Sequence, residues 1–116
     1  MRNIYTIFAC IILTCFVHPF SALAAELLQV RTASMLQIGD RNRSYAVQLA
    51  CIEIYPQKER AAIAWLKDEL PRHTKVNLRP QGSIDGTLLA RVFPLNMEQE
   101  VGKAISLKGY GRFTCK

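Results

Sequence analysis

Apolar and polar positions alternate with two different periods along this chain, and the switches between them outline its elements. Tyr45, Val47, Leu49 and Cys51 alternate with Ser44, Ala46, Gln48 and Ala50, a period of two that predicts a strand. The strand continues through Ile52 and Ile54, apolar on both parities, and closes on Pro56, which has no N–H to give a ladder. Upstream, Leu27 to Ile38 mixes apolar and small polar residues and predicts two strands with a turn near Thr32-Ala33-Ser34. Gly39-Asp40-Arg41-Asn42-Arg43 then reads as a hairpin tip.

From Lys58 to Leu70 the period becomes helical. Ala62, Ile63, Leu66 and Leu70 form one stripe, with Lys58, Arg60, Lys67 and Asp68 opposite. Pro71 ends the helix by denying Leu70 helical geometry. Trp65, at the border of the stripe, is assigned to the helix–sheet interface, with ligand stacking as the lesser reading. Val76 to Arg79 predicts a short strand stopped by Pro80, Gln81 to Gly86 a loop, and Thr87 to Phe93 the next strand. Asn96 is placed as the cap of a second helix carrying Met97, Val101, Ala104, Ile105 and Leu107, which Gly109 ends. Thr114-Cys115-Lys116 is expected to close the chain in a last short strand. Period alone predicts a small α+β domain.

Ahead of these elements, Met1-Arg2-Asn3 is a short positive start and Ile4 to Phe20 is apolar apart from Thr, His and Pro. Ser21-Ala22-Leu23-Ala24 supplies the small residues of an Ala-x-Ala site, so residues 1–24 read as a secretory signal peptide cut after Ala24. The competing reading is an uncleaved anchor, for which the apolar run is slightly short. Cleavage leaves one domain, residues 25–116, with no stable transmembrane span and an exported location: periplasm, lumen or extracellular space.

Composition then narrows the function. The full chain carries 15 basic and 9 acidic residues, a net charge of +6, and loss of Arg2 leaves +5. That balance favours anionic partners, though acids and bases are interspersed. Arg41, Arg43, Arg72 and Lys75 are the candidate contacts to nucleic acid, and this reading predicts affinity that falls steeply with salt. Cys51 and Cys115 remain after cleavage, an even number in an exported domain. No Cys-x-x-Cys pair and no His-rich cluster is present, so no metal site is predicted. His73, the one histidine after cleavage, reads as a surface residue.

Gln48-Leu49-Ala50-Cys51-Ile52-Glu53-Ile54-Tyr55-Pro56 resembles the core strand of the thermonuclease-like (staphylococcal nuclease) family, which reads roughly Arg-Leu-x-Gly-Ile-Asp-x-Pro-Glu. Thr87-Leu88-Leu89-Ala90-Arg91-Val92-Phe93 resembles its Gly-Arg-x-Leu-Ala-x-Val-Phe segment, and Leu107 to Phe113 its Gly-Leu/Tyr-Ala-Arg/Lys ending. The resemblance spans nearly all of residues 27–115. It implies a mainly β, five-stranded Greek-key barrel of OB type with two to three packed helices. It also implies that the closing strand returns beside the end of the central one, which would bring Cys51 and Cys115 within reach of a disulfide. A buried Cys51 thiol with a frayed, free Cys115 remains the alternative.

The family's reaction is calcium-dependent phosphodiester hydrolysis, in which a metal and two arginines neutralise the phosphate and a carboxylate positions water. Here the Asp-Gly-Asp-Thr turn becomes Thr32, Ala33, Ser34 and Met35, so the two ligand aspartates fall at Ser34 and Glu53. The two arginines fall at Gln48 and Thr87, the phosphate-contacting Lys-Tyr pair at Ile84 and Asp85, and the water-positioning glutamate at Pro56, or at Tyr55 if the frame slips by one. One carboxylate is a poor site for a hard dication, and loss of a single charge-stabilising donor typically costs ~10²–10³ in rate. The resemblance therefore implies a degenerate site, a non-catalytic module that binds a macromolecular partner, protein or envelope component first, and no cofactor. The alternatives are a weak calcium-dependent nuclease using Glu53 and Glu59, and non-specific binding of nucleic acid.

Overall fold

The computed structural model describes residues 25–115, so the signal-peptide reading lies outside the described residues. Five strands close a barrel: β1 (Ala25–Thr32), β2 (Met35–Asp40), β3 (Arg43–Leu49), β5 (Lys75–Ile84) and β6 (Thr87–Pro94). A second sheet pairs β4 (Ile52–Ile54) with β7 (Gly111–Phe113). Two α-helices complete the fold, α1 (Glu59–Glu69), entered through a 3-10 turn at Pro56–Lys58, and α2 (Val101–Leu107). The barrel order is β1-β2-β3-β6-β5, with β3 and β6 parallel and all other neighbours antiparallel. This is a small OB-type α+β fold, mainly β.

Inward positions follow the period of two. Leu36, Ile38 and Val47 are fully buried, and Leu27, Val76, Ala90 and Val92 complete the barrel interior. The helices close it with Leu66, Leu70, Val101 and Ile105. Burial of each such side chain contributes roughly 1.5–3 kcal/mol. The barrel is sealed between its first and fifth strands by two register pairs, Ala25↔Val76 and Glu26↔Lys75. Leu27 extends the seal, its N–H donating to Thr74 O (2.8 Å) and its carbonyl accepting from His73 N–H (2.6 Å).

Four expectations need correction. The strand predicted from Ser44 to Pro56 is two strands, because Cys51 turns the chain with φ 69 and sends β4 into a different sheet. Its carbonyl accepts from Thr114 N–H (2.8 Å) and its side chain is joined to Cys115, so the break is held from both sides. Pro80 does not stop its strand: β5 runs on to Ile84 through an irregularity between Pro80 and Gly82. Beyond Val76 that strand has one described neighbour, β6, and an edge tolerates a residue without an N–H. Asp85 and Gly86, both with positive φ, then form the two-residue hairpin turn.

Asn96 caps no helix. Its Nδ2 donates to Glu69 O (3.2 Å), tying the segment after β6 to the end of α1, and α2 begins only at Val101 behind Glu100. The last strand is Gly111–Phe113 rather than Thr114-Cys115-Lys116. β7 lies so close to β4 that a Cβ on Gly111 would stand 2.5 Å from Glu53 O. Gly109 does end α2 in the left-handed region, with φ 82. No helix among the described residues is long and apolar enough to cross a membrane.

Candidate functional site

Ser34 sits in the tight turn between β1 and β2, where its N–H donates to Thr32 Oγ1 (3.2 Å) and its carbonyl accepts from Leu49 N–H (2.8 Å). Gln48 stands one strand away, opposite Met35 in β2 and Leu89 in β6. Thr87 opens β6 opposite Ile84, one residue before the Leu88 that pairs with Val47. These three positions therefore share the β2–β3–β6 wall. None of the three carries charge.

Glu53 is elsewhere. It lies in β4 opposite Arg112 of β7, and the guanidinium holds its carboxylate at 2.6 Å with both side chains well exposed. The ion pair pushes the Arg112 pKa upward. Pro56 is exposed at the start of the 3-10 turn. Glu59, the other carboxylate of the nuclease alternative, opens α1 and accepts from Ala33 N–H at 2.7 Å. It anchors the helix to the turn in which Ser34 sits. Among the described residues no hydrogen bond joins Glu53 to Ser34, Gln48 or Thr87, and no three His, Cys, Asp or Glu side chains gather into a group able to hold a metal ion.

Cys51 and Cys115 form a disulfide, with Cα atoms 5.1 Å apart, inside the range such bridges span. It fastens the chain end to the point where the barrel hands over to the small sheet. The free-Cys115 alternative does not hold.

The four candidate nucleic-acid contacts are partly gathered. Arg41, at φ 61 in the hairpin tip, and Arg43 share a shallow depression with Lys75 across Leu28 and Gly39. Arg72, exposed in the turn before β5, does not line it. Lys75 is already paired with Glu26 (2.8 Å), which also meets His73 Nδ1 (3.1 Å). Hydrogen bonds from Lys75 and then His73 lower the Glu26 pKa. Tyr45 lines a neighbouring depression with Asp40, and burial, reinforced by Asp40, raises its phenol pKa.

Three features escape sequence reasoning. Glu100 is the one buried charged residue among those described, and Arg91 holds it through Nε (2.9 Å to Oε2) and Nη2. Arg79 and Arg91 lie opposite each other in register, and both guanidiniums approach the Phe93 ring, at 4.8 and 5.7 Å. Trp65 meets Tyr110 edge-on (centroids 6.2 Å) with Lys108 Nζ 5.9 Å from the indole. Basic residues within two or three places of aromatics were the available signal, but it is common on any basic barrel.

No family model matches the chain, and no curated protein matches it. The fold and these contacts define a small OB-type barrel with a disulfide-fastened accessory sheet.

Proposed function

We propose that the protein is an exported, non-catalytic, thermonuclease-like module whose surface binds a macromolecular partner, a protein in the first instance. One observation carries the reading: the β2–β3–β6 wall presents uncharged Ser34, Gln48 and Thr87, while Glu53 and Glu59 are engaged by Arg112 and the Ala33 amide. Hydrolysis of a phosphodiester needs charge neutralisation at the phosphate, commonly the largest catalytic term, and none of these three positions supplies a cation for it. The Cys51–Cys115 bridge supports the exported location, since disulfides persist in oxidising compartments. OB-type barrels serve widely as recognition platforms.

A second reading, non-specific binding of nucleic acid, is favoured by the convergence of Arg41, Arg43 and Lys75 on one depression. Co-purification of the tagged, processed protein from its native envelope separates the two. A protein retained after nuclease treatment and through a salt wash supports the first reading. Recovery of nucleic acid alone, released steeply by salt, overturns it in favour of the second.

A further inference from the structure

Two of the ladders that close the barrel are short. β5 pairs with β1 only at Lys75 and Val76, and β3 pairs with β6 only at residues 47–49. Outside those pairs each strand keeps one neighbour and leaves its other edge open. Among the described residues, 77–84 of β5 are held by β6 alone and 43–46 of β3 by β2 alone. The two open edges are unlike. That of β5 is blunted by Pro80 and by the irregularity between Pro80 and Gly82, devices that keep a foreign strand from pairing. That of β3 runs in unbroken register with β2, from Asp40↔Arg43 to Met35↔Gln48, and holds neither a proline nor a bulge.

The open edge of β3 lines a notch of about 580 Å³, walled on its far side by Gly86 and Thr87 at the start of β6. Clefts of roughly 300–1,000 Å³ are the ones that take ligands. Arg43 is the one charged residue in the lining. It is exposed and makes no ion pair among the described residues. Asp40 lines the depressions it shares with Arg41 and with Arg79, not this one, and Asp85 of the hairpin turn does not line it either. Ser44 Oγ accepts from Gln37 Nε2 (2.5 Å), so its own O–H remains a donor. Half-buried Tyr45 and Leu88 give the notch an apolar floor.

We infer that this notch is where the module takes its protein partner, as an extended acidic segment laid along residues 43–46 of β3. Strand addition supplies main-chain hydrogen bonds to an edge without a neighbour, and alternate side chains supply specificity. An open strand edge is matched by a peptide backbone, which nucleic acid does not carry. Arg43 and Tyr45 lie two residues apart and so share one face of β3. An Asp or Glu of the segment meets Arg43, and an apolar residue two places along it sits on Tyr45 and Leu88. At about 3.3 Å per residue the open edge is only ~13 Å long, so affinity is modest and each contact matters. The inference deepens the protein-binding reading and rests on it.

The test uses the oxidised, processed protein on beads and a random library of hexapeptides. The peptides are acetylated and amidated, so only Asp and Glu side chains bring carboxylates. The expected result, read by mass spectrometry, is retention of peptides with an acidic and an apolar residue two places apart. For a retained peptide, R43E should weaken binding about tenfold, as a charge contact becomes a repulsion. R60E, the same charge change on exposed Arg60 of α1, should leave it unchanged. Methylation of the peptide's backbone nitrogens, one at a time, should abolish binding at alternate positions only, because successive N–H groups face opposite edges of a strand. Thermal melts of both variants guard against simple unfolding. Absence of a retained class, tolerance of methylation at every position, or equal loss through R60E and R43E overturns the inference. So does oligothymidylate that displaces the retained peptides and binds more tightly. Should a native protein co-purify equally with wild type and R43E, the module reading stands and the notch is not its site.

Discussion

In the barrel, Leu36, Ile38, Val47 and Val92 are sealed from solvent, and each strand is paired along most of its length. The β4–β7 sheet has three residue pairs, no fully buried large side chain of its own, and an exposed ion pair across its middle. Burial is the largest stabilising contribution in the first region, whereas the second depends on a covalent bond and on a close approach permitted by Gly111. A domain of this size buries only ~60–65% of its unfolded surface, so little apolar area remains for an accessory sheet. The part least able to hold itself is also the part that the disulfide fastens.

The largest test of that contrast is removal of the bridge. Cys51 and Cys115 are 64 residues apart, for which the chain-entropy model gives ~4 kcal/mol. Replacing both by Ser should lower stability in urea unfolding by up to that amount. In hydrogen exchange, the Thr114 and Tyr55 amides should lose protection well before those of β2 and β3. Uniform loss across both regions would remove the distinction.

Leu36→Ala addresses the barrel from the other side. A fully buried leucine in a closed interior should cost about 3 kcal/mol, with β4–β7 exchange rates following the global change only. Glu100→Gln comes next. It would leave the Arg91 guanidinium, with side-chain exposure of 23%, facing an amide in place of its carboxylate partner, an expected loss of ~1–3 kcal/mol by denaturant titration. The same contact holds the Arg91 pKa above its ordinary value.

The smallest effect belongs to the barrel seam. Glu26 titrates below its ordinary value in the folded protein because Lys75 and His73 bind its carboxylate. A lowered folded pKa stabilises above the unfolded carboxyl pKa and is lost as pH falls through the folded one. Wild type should therefore melt slightly higher than Glu26→Gln near neutrality, and the two should converge in acid. A gap that persists at low pH would show that the Glu26 carboxylate charge is not what stabilises the seam.

The strands and helices were legible because their apolar positions obey one period per element, Val47 and Leu49 inward on β3, Ala62 and Leu66 inward from α1, whereas closure into a barrel was implied by the family resemblance and not by the period. The breaks were not legible. Nothing in Ala50-Cys51-Ile52 distinguishes a continuing strand from a left-handed turn, because the cause is Thr114 and Cys115, more than sixty residues away. Pro80 reads as a stop only if both strand edges are paired, and edge status is a tertiary property. Asn96 has a cap residue's chemistry, yet the acceptor it finds is Glu69 O on another helix.

Of the candidate site, the absence of charge at Ser34, Gln48 and Thr87 could be read directly from residue identity. The engagement of Glu53 by Arg112 and of Glu59 by the Ala33 amide could not, since both partners arrive through the fold. The same holds for the Trp65–Tyr110–Lys108 cluster, in which Trp65 is more than forty residues of chain from the other two.

The most direct test of the central claim is a fluorescent-substrate nuclease assay on the purified, oxidised protein with added calcium, run beside Glu53→Gln. The account predicts no hydrolysis of DNA or RNA by either protein, because no cation stands at Gln48 or Thr87 to neutralise a phosphate. Calcium-dependent turnover that disappears in Glu53→Gln would contradict it and make the protein an enzyme.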